Sequence, residues 1–327
     1  MREIPRLRFA QLPTPVEHLP RLSAELGIRL LVKRDDQTGL AFGGNKTRKL
    51  EFLLAEARAN GAKTLITTGA VQSNHCRQTA AAARRFGFDC ILILIVPKGE
   101  DISSNQNQPP SGNLLLDRLL GAEIIWSEWE SRDKILQEAF QAAWDAGRRP
   151  YLIPYGGSSP AGACAYAFAV QELLGQDIHP DWIIFPTSSG GTHAGLEAGA
   201  RLFGYKGRIL GISVDETGTI LAQRVAKLAV ETADFLSEKL AISPDEIGVN
   251  EDYQWPGYGV LVESEVNAIR NFARTEGLLL DPVYTGRAAA GMLDLINKGS
   301  LSAGSTILFW HTGGTPALFA DRYRQFE

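Results

Sequence analysis

The chain lacks any apolar run long enough to cross a bilayer. Its longest, CILILIV at 90–96, is a third of the roughly 20 residues that a helical span needs. The first thirteen residues, MREIPRLRFAQLP, hold no apolar leader core, so a cytoplasmic protein is expected. Cysteine is scarce: Cys76, Cys90 and Cys164 are odd in number and show neither metal nor redox spacing. Reduced thiols and no metal centre follow. No strong charge of one sign is present; 33 basic and 37 acidic residues are interspersed and leave a net charge of −4. That balance argues against a nucleic-acid surface. Neither a G-x-G-x-x-G fingerprint nor a Walker loop occurs, which removes the common dinucleotide and nucleotide-triphosphate sites.

What is present is enough chain, 327 residues, for two domains, and 44% hydrophobic residues, which excludes disorder. Short apolar runs alternate with segments of helical period. Strands are expected at 64–69, 90–96, 123–126, 151–157, 181–187, 208–215 and 305–314, and helices near 73–86, 113–120, 131–146 and 193–203. A polar Pro/Gly-rich loop is expected over 97–112, and a loop-rich excursion over 238–262. Strands with so few polar positions are covered on both faces, as in parallel sheets flanked by helices. The fold class is therefore α/β, with two domains built on open, mainly parallel twisted sheets.

The most informative stretch is GGNKTRKLEFL at 43–53. Leu50, Leu53, Leu54 and Ala57 fall at i, i+3, i+4 and i+7, so one helical face is buried. Lys46 sits on a glycine turn just ahead of that helix. A lysine that is desolvated, or close to cations such as Arg48 and Lys49, loses basicity and can act as a nucleophile. A second glycine segment, FPTSSGGTHAG at 185–195, follows a strand and opens a helix. It offers backbone N–H groups, hydroxyls and no acidic residue, which suits a phosphate. A Ser/Gly turn with a helix cap explains that segment equally well when it is taken alone.

A lysine on one turn and a phosphate cradle on another suggest a ligand with both an aldehyde and a phosphate. Pyridoxal 5′-phosphate fits. Asn74 in VQSNH (71–75) could meet its phenolic oxygen with Ser73 beside the substrate, and Thr312 in HTGG (311–314) could meet its ring nitrogen.

These blocks, with KRDD (33–36), GNLLLDRLLGAE (112–123) and TEGLLLDPVYTGRA (275–288), resemble the family of 1-aminocyclopropane-1-carboxylate deaminase and D-cysteine desulfhydrase nearly end to end. These are pyridoxal-phosphate enzymes of the tryptophan-synthase β-like group, fold type II. The resemblance implies that Lys46 carries the cofactor aldehyde, and that Lys49 and residues Ser188, Ser189, Gly190, Gly191 and Thr192 hold the phosphate. It implies that Asn74 binds the phenolic oxygen, and that Ser73, Tyr258 and Tyr284 line the substrate side. Tyr284 follows Pro282 in a run that reads as strand end and turn.

Deaminases of the family resemble one another in carrying Glu after the second tyrosine, where desulfhydrases carry Thr. Thr285 and Thr312 therefore resemble the desulfhydrase side, with both threonines assigned to the cofactor. The implied reaction is α,β-elimination on a small amino acid, D-cysteine first. 1-Aminocyclopropane-1-carboxylate deamination, sulfite loss from L-cysteate aided by His75 or His193, racemisation, and a non-catalytic cofactor carrier are the rivals. The resemblance also implies a large domain of residues 1–48 plus 158–327, a small domain of 49–157, a cofactor cleft between them, and a homodimer.

Overall fold

The computed structural model describes residues 1–326. In chain order its elements are β1 (Val16–His18), α1 (Pro20–Leu26), β2 (Arg29–Arg34), α2 (Asn45–Ala59), β3 (Thr64–Ala70), α3 (Asn74–Phe86) and β4 (Asp89–Ile95). There follow α4 (Ile102–Asn107), α5 (Gly112–Leu119), β5 (Glu123–Ser127), α6 (Arg132–Asp145), β6 (Pro150–Leu152), α7 (Pro160–Gly175), β7 (Trp182–Thr187) and α8 (Gly191–Phe203). The chain ends with β8 (Arg208–Ser213), α9 (Gly218–Phe235), β9 (Val249–Asn250), α10 (Glu263–Glu276), α11 (Thr285–Asn297), β10 (Thr306–His311) and short 3-10 turns.

Two sheets result. One has six strands in the order β1-β2-β10-β7-β8-β9, and the other has four in the order β5-β4-β3-β6. Every pairing is parallel except β1 with β2. The two central strands of the smaller sheet are almost wholly buried: β3 from Thr64 to Gly69 and β4 from Cys90 to Ile95. That is why their sequences read as continuous apolar runs rather than alternating ones. Leu50, Leu53, Leu54 and Ala57 of α2 pack with Leu65, Leu92 and Leu94 beneath this sheet. Ile184, Ile212, Ile307 and Phe309 form the core of the larger sheet with Phe272, Ala288 and Met292 of α10 and α11.

Three expectations change, and α7 is an element the sequence reading does not contain. The loop at 97–112 contains α4, whose N-cap Asp101 accepts a hydrogen bond from Ser104 N; its Asp-Ile-Ser-Ser start is a cap signal that the Pro/Gly composition obscured. Lys46 lies in the first turn of α2, not ahead of it. Tyr284 does not end a strand: it is the N-cap position of α11, and Asp281 collects the backbone N–H groups of Val283, Tyr284 and Thr285. The helix α7 is alanine-rich and buried nearly all round, so no amphipathic period marks it in the sequence. The excursion at 238–262 holds only a single 3-10 turn and the two-residue β9.

Parallel order brings the carboxyl ends of β3, β6, β7, β8 and β10 to the segments 71–75, 153–159, 188–192, 214–217 and 312–314. Ligands of open parallel sheets bind at such ends.

Candidate active site

A cavity opens there, lined by residues from both glycine segments and from the ends of β3, β6, β7 and β10, Lys46, Ser73, Asn74, Tyr155, Thr187 and Thr312 among them. The turn before α2 sets the position of Lys46. Gly43 lies at φ 63°, and a Cβ there would collide with the Asp36 carbonyl, so no other residue fits without strain. Gly44 N donates to Asp35 O at 2.9 Å, and Asn45 N donates to Thr312 O at 2.9 Å. The two residues before the lysine are thus tied to two different strand ends, which sets where α2 and Lys46 begin.

Lys46 Nζ donates to the Gly156 carbonyl at 3.0 Å. It keeps some accessible surface because it faces the cavity, yet protein surrounds its stem. Burial lowers its pKa to about 8, against a small opposing influence of Cys76. Lys49, one turn on, is 1% exposed. Its ammonium reaches the same Gly156 carbonyl at 3.3 Å. Burial, then the charge of Lys46, pushes its pKa well below the ordinary value. Neither lysine meets a carboxylate among the described residues.

The segment after β7 surrounds this pair. Ser158 Oγ donates to Ser189 Oγ at 2.8 Å and accepts from Gly191 N at 3.1 Å. Asn45 Nδ2 donates to Thr192 Oγ1 at 3.1 Å. A Cβ on Gly156 would run into Ser189 Oγ and lie 3.3 Å from Lys46 Nζ, while one on Gly191 would lie 2.9 Å from Lys49 Nζ. Bare backbone therefore separates the lysines from the N-terminus of α8. Two cations and a helix N-terminus converge with one carbonyl between them. Unpaired buried charge is costly, so the arrangement fits a group that brings an anion to α8 and a carbonyl carbon to Lys46.

Of the residues singled out from sequence, Lys46, Ser73, Asn74, Ser188, Ser189, Gly190, Thr192, Tyr284 and Thr312 line the cavity. Gly191 opens α8 beside it, and Lys49 lies behind Gly156. Tyr258 stands one step back, its hydroxyl 2.6 Å from that of Tyr284. Burial pushes both phenols well above their usual pKa, so both stay protonated at neutral pH. Ser73 caps α3, accepting from Cys76 N at 3.2 Å.

Thr285 lies apart from the other residues singled out from sequence. Its side chain is fully buried, is absent from the cavity wall, and donates from Oγ1 to Asp281 at 2.7 Å. The cap of α11 holds that hydroxyl, so Thr312 is the threonine that faces the cavity. The histidines differ as well. His75 lines the wall, but burial and the two lysine charges hold its pKa well below normal, and its Nε2 lies 2.9 Å from Thr67 Oγ1. His193 is buried against Phe185, off the cavity.

Sequence reasoning missed Tyr155, Gly156, Ser158 and Asp215. The first three belong to a third turn, YGGSS at 155–159, which follows a strand of only 150–152 where one over 151–157 is expected; a Gly pair followed by a Ser-Pro helix start is the available signal. Asp215 comes from the end of β8, and no local pattern shows that it meets Ser188 Oγ, at 2.7 Å. The phosphate-loop candidate, without an acid of its own, thus gains one from a neighbouring strand. Burial raises the Asp215 pKa to about 6.

A family profile described as "Pyridoxal-phosphate dependent enzyme" matches residues 7–313. A Pyrococcus abyssi protein, provisionally named as a 1-aminocyclopropane-1-carboxylate deaminase, is 40% identical over 323 residues, 96% of this chain and 93% of its own length. A crystal structure titled as the ACC deaminase homologue superposes with a TM-score of 0.88 at 38% identity, covering 99% of this chain and 95% of that one. A fungal L-serine ammonia-lyase from Rhizomucor miehei shares the fold at a TM-score of 0.66 and 19% identity, over 95% of this chain and 97% of that one. The chain belongs to the pyridoxal-phosphate dependent enzymes of fold type II, within the 1-aminocyclopropane-1-carboxylate deaminase and D-cysteine desulfhydrase family.

Proposed function

We propose that this enzyme is a carbon–sulfur lyase that turns D-cysteine and water into pyruvate, ammonia and hydrogen sulfide. One observation carries the choice within the family. No carboxylate side chain lines the cavity among the described residues, and the polar side chain at the end of β10 is the Thr312 hydroxyl. Pyridoxal phosphate, when bound, supplies the electron sink for bonds broken at Cα. A hydroxyl leaves the ring nitrogen neutral, where a carboxylate would favour its protonation. The weaker sink suits loss of a Cα proton and a good leaving group better than opening a cyclopropane that has no Cα hydrogen.

In this reading Lys46, Lys49 and the segment Ser188–Thr192 hold the cofactor, with Asn74 at its phenolic oxygen. Lys46 Nζ takes the Cα proton; its lowered pKa leaves an appreciable neutral fraction near pH 8. Ser73 Oγ, already accepting from Cys76 N, has its hydrogen free for the substrate carboxylate. The Cβ–S bond breaks with its electron pair on sulfur. The Tyr284 hydroxyl, paired with Tyr258, is the donor we assign to that departing thiolate. The released enamine then takes up water. The reading includes a large unit of residues 1–48 plus 158–327 and a small unit of 49–157, supported by the separate membership of the two sheets, and a cytoplasmic homodimer.

Deamination of 1-aminocyclopropane-1-carboxylate is the second reading, favoured by the names of the 40% and 38% identical relatives. Incubation with D-cysteine, L-cysteine, L-cysteate and the cyclopropane acid separates the readings. Pyruvate with sulfide from D-cysteine supports the proposal. 2-Oxobutyrate from the cyclopropane acid as the dominant product replaces it with deamination, and sulfite from L-cysteate with a sulfo-lyase. No keto acid from any of the four leaves a non-catalytic carrier.

A further inference from the structure

Asn74 carries an amide whose orientation decides whether the cavity meets a donor or an acceptor. That orientation follows from groups that have no choice. Arg77, fully buried on α3, can only donate, and the backbone carbonyl of Gln72 can only accept. Asn113, the fully buried second residue of α5, lies between them: its Oδ1 accepts from Arg77 Nη1 at 2.8 Å and its Nδ2 donates to Gln72 O at 2.8 Å. Turning the Asn113 amide over would oppose like groups at both contacts. The same Nδ2 donates to Asn74 Oδ1 at 2.9 Å, and Arg77 Nη1 donates to that oxygen at 3.2 Å. With Oδ1 committed to two donors, Asn74 must turn its Nδ2 away from them. That nitrogen has no acceptor among the described residues, and Asn74 lines the cavity.

Arg77 does more than orient. Its Nη2 donates to the Gly43 carbonyl at 3.0 Å, on the turn that sets Lys46. One guanidinium therefore ties the helix α3, the start of α5 and the glycine turn together. The charged groups that face it are Asp117 of α5 and Asp281 ahead of α11. Asp117 is buried with both oxygens unpartnered, and burial raises its pKa well above normal, so it does not neutralise the guanidinium as an ordinary carboxylate would. Burial lowers the Arg77 pKa to about 10, and it stays charged at neutral pH. Around Lys46 stand Lys49, His75 and Cys76.

We infer that Arg77 and Asn113 are positioning residues that hold Asn74 as a fixed donor toward the cofactor's phenolic oxygen and keep that oxygen anionic. The inference rests on the reading of the cavity as a pyridoxal-phosphate site. An anionic, donor-held phenolic oxygen attracts the proton on the lysine-bound nitrogen less, so that proton leaves at lower pH.

The test uses the purified holoenzyme and its Asn113→Asp and Arg77→Met variants. Asn113→Asp keeps the volume and still accepts from Arg77, but it faces Asn74 with an oxygen and turns the Asn74 amide over. The readouts are the pH midpoint of the visible cofactor absorbance and the cofactor dissociation constant by dialysis. Both variants should raise the midpoint by about one pH unit or more and weaken cofactor binding ~10-fold or more. An Asn113→Asp protein that matches the wild type in circular dichroism, midpoint and affinity overturns the inference, even where Arg77→Met fails to fold. A visible cofactor band that survives Lys46→Ala would instead overturn the reading of the site, whatever the Asn113 and Arg77 variants do.

Discussion

Arg48 and Lys49 are neighbours on one helix, both buried and both basic, yet their surroundings are opposite. The Arg48 guanidinium lies 2.8 Å and 2.9 Å from the two oxygens of Asp35 and 2.9 Å from each oxygen of Glu172. Lys33 joins at 2.7 Å from Glu172, and Asp35 also receives Tyr166 at 2.5 Å and Trp310 at 2.8 Å. Burial pushes the Asp35 pKa up, but Arg48 and Lys33 outweigh it and hold the carboxyl below its usual value. Lys49 turns to the other side of the helix and finds, with Lys46, one shared carbonyl. The first cluster is complete in itself and its work is structural. The second is incomplete in the protein alone, and what would complete it is an anion and a carbonyl carbon. Buried cations of the same helix thus separate into those that hold the fold and those that wait for a ligand.

The largest expected effect is at the centre of the incomplete cluster. Lys46→Ala should remove the visible absorbance of the bound cofactor and lower turnover by 10²–10⁴-fold or more, on the order of a lost acid–base group; a spectrum and a keto-acid assay read both. The complete cluster should respond in stability instead. Asp35→Asn leaves Arg48 and Lys33 short of charge and should cost about 3–5 kcal/mol in denaturant unfolding. Cofactor affinity of the molecules that remain folded should change little.

Lys49→Met should break the symmetry between the neighbours in sign. The cofactor-free protein should become more stable, because a buried amine without a carboxylate partner, whose charged form burial disfavours, is gone. Cofactor binding should weaken by about 1.5–3 kcal/mol, the worth of a hydrogen bond to a charged group. Loss of stability like that of Asp35→Asn would place Lys49 in the structural class.

The smallest effect is in pH. With a Lys46 pKa of about 8, the neutral amine fraction rises about tenfold per unit below pH 8 and then saturates. Cofactor capture by stripped protein should climb steeply from pH 6 to 7 and level off above about pH 8. An ordinary lysine would keep the rate climbing through pH 10, and stopped-flow absorbance distinguishes the two.

Sequence revealed the α/β class, the strands expected at 64–69, 181–187 and 305–314 (observed at 64–70, 182–187 and 306–311), and many residues of the cavity wall, because those features are local: glycine turns at strand ends and continuous apolar runs. The rest depended on contacts between distant residues. Gly156 lies 110 positions from the lysine it receives, and Asp215 reaches Ser188 from the end of another strand. The role of Arg77 cannot be read from its helix, since its partners are Gly43 and Asn113. Thr285 also depends on a contact its block does not show: its hydroxyl donates to Asp281 at the start of α11.

The covalent claim has a direct test. Borohydride reduction of the holoenzyme followed by peptide mass spectrometry should leave a phosphopyridoxyl group on Lys46, within residues 35–48. A label on Lys49 or Lys33, or none at all, would contradict the account.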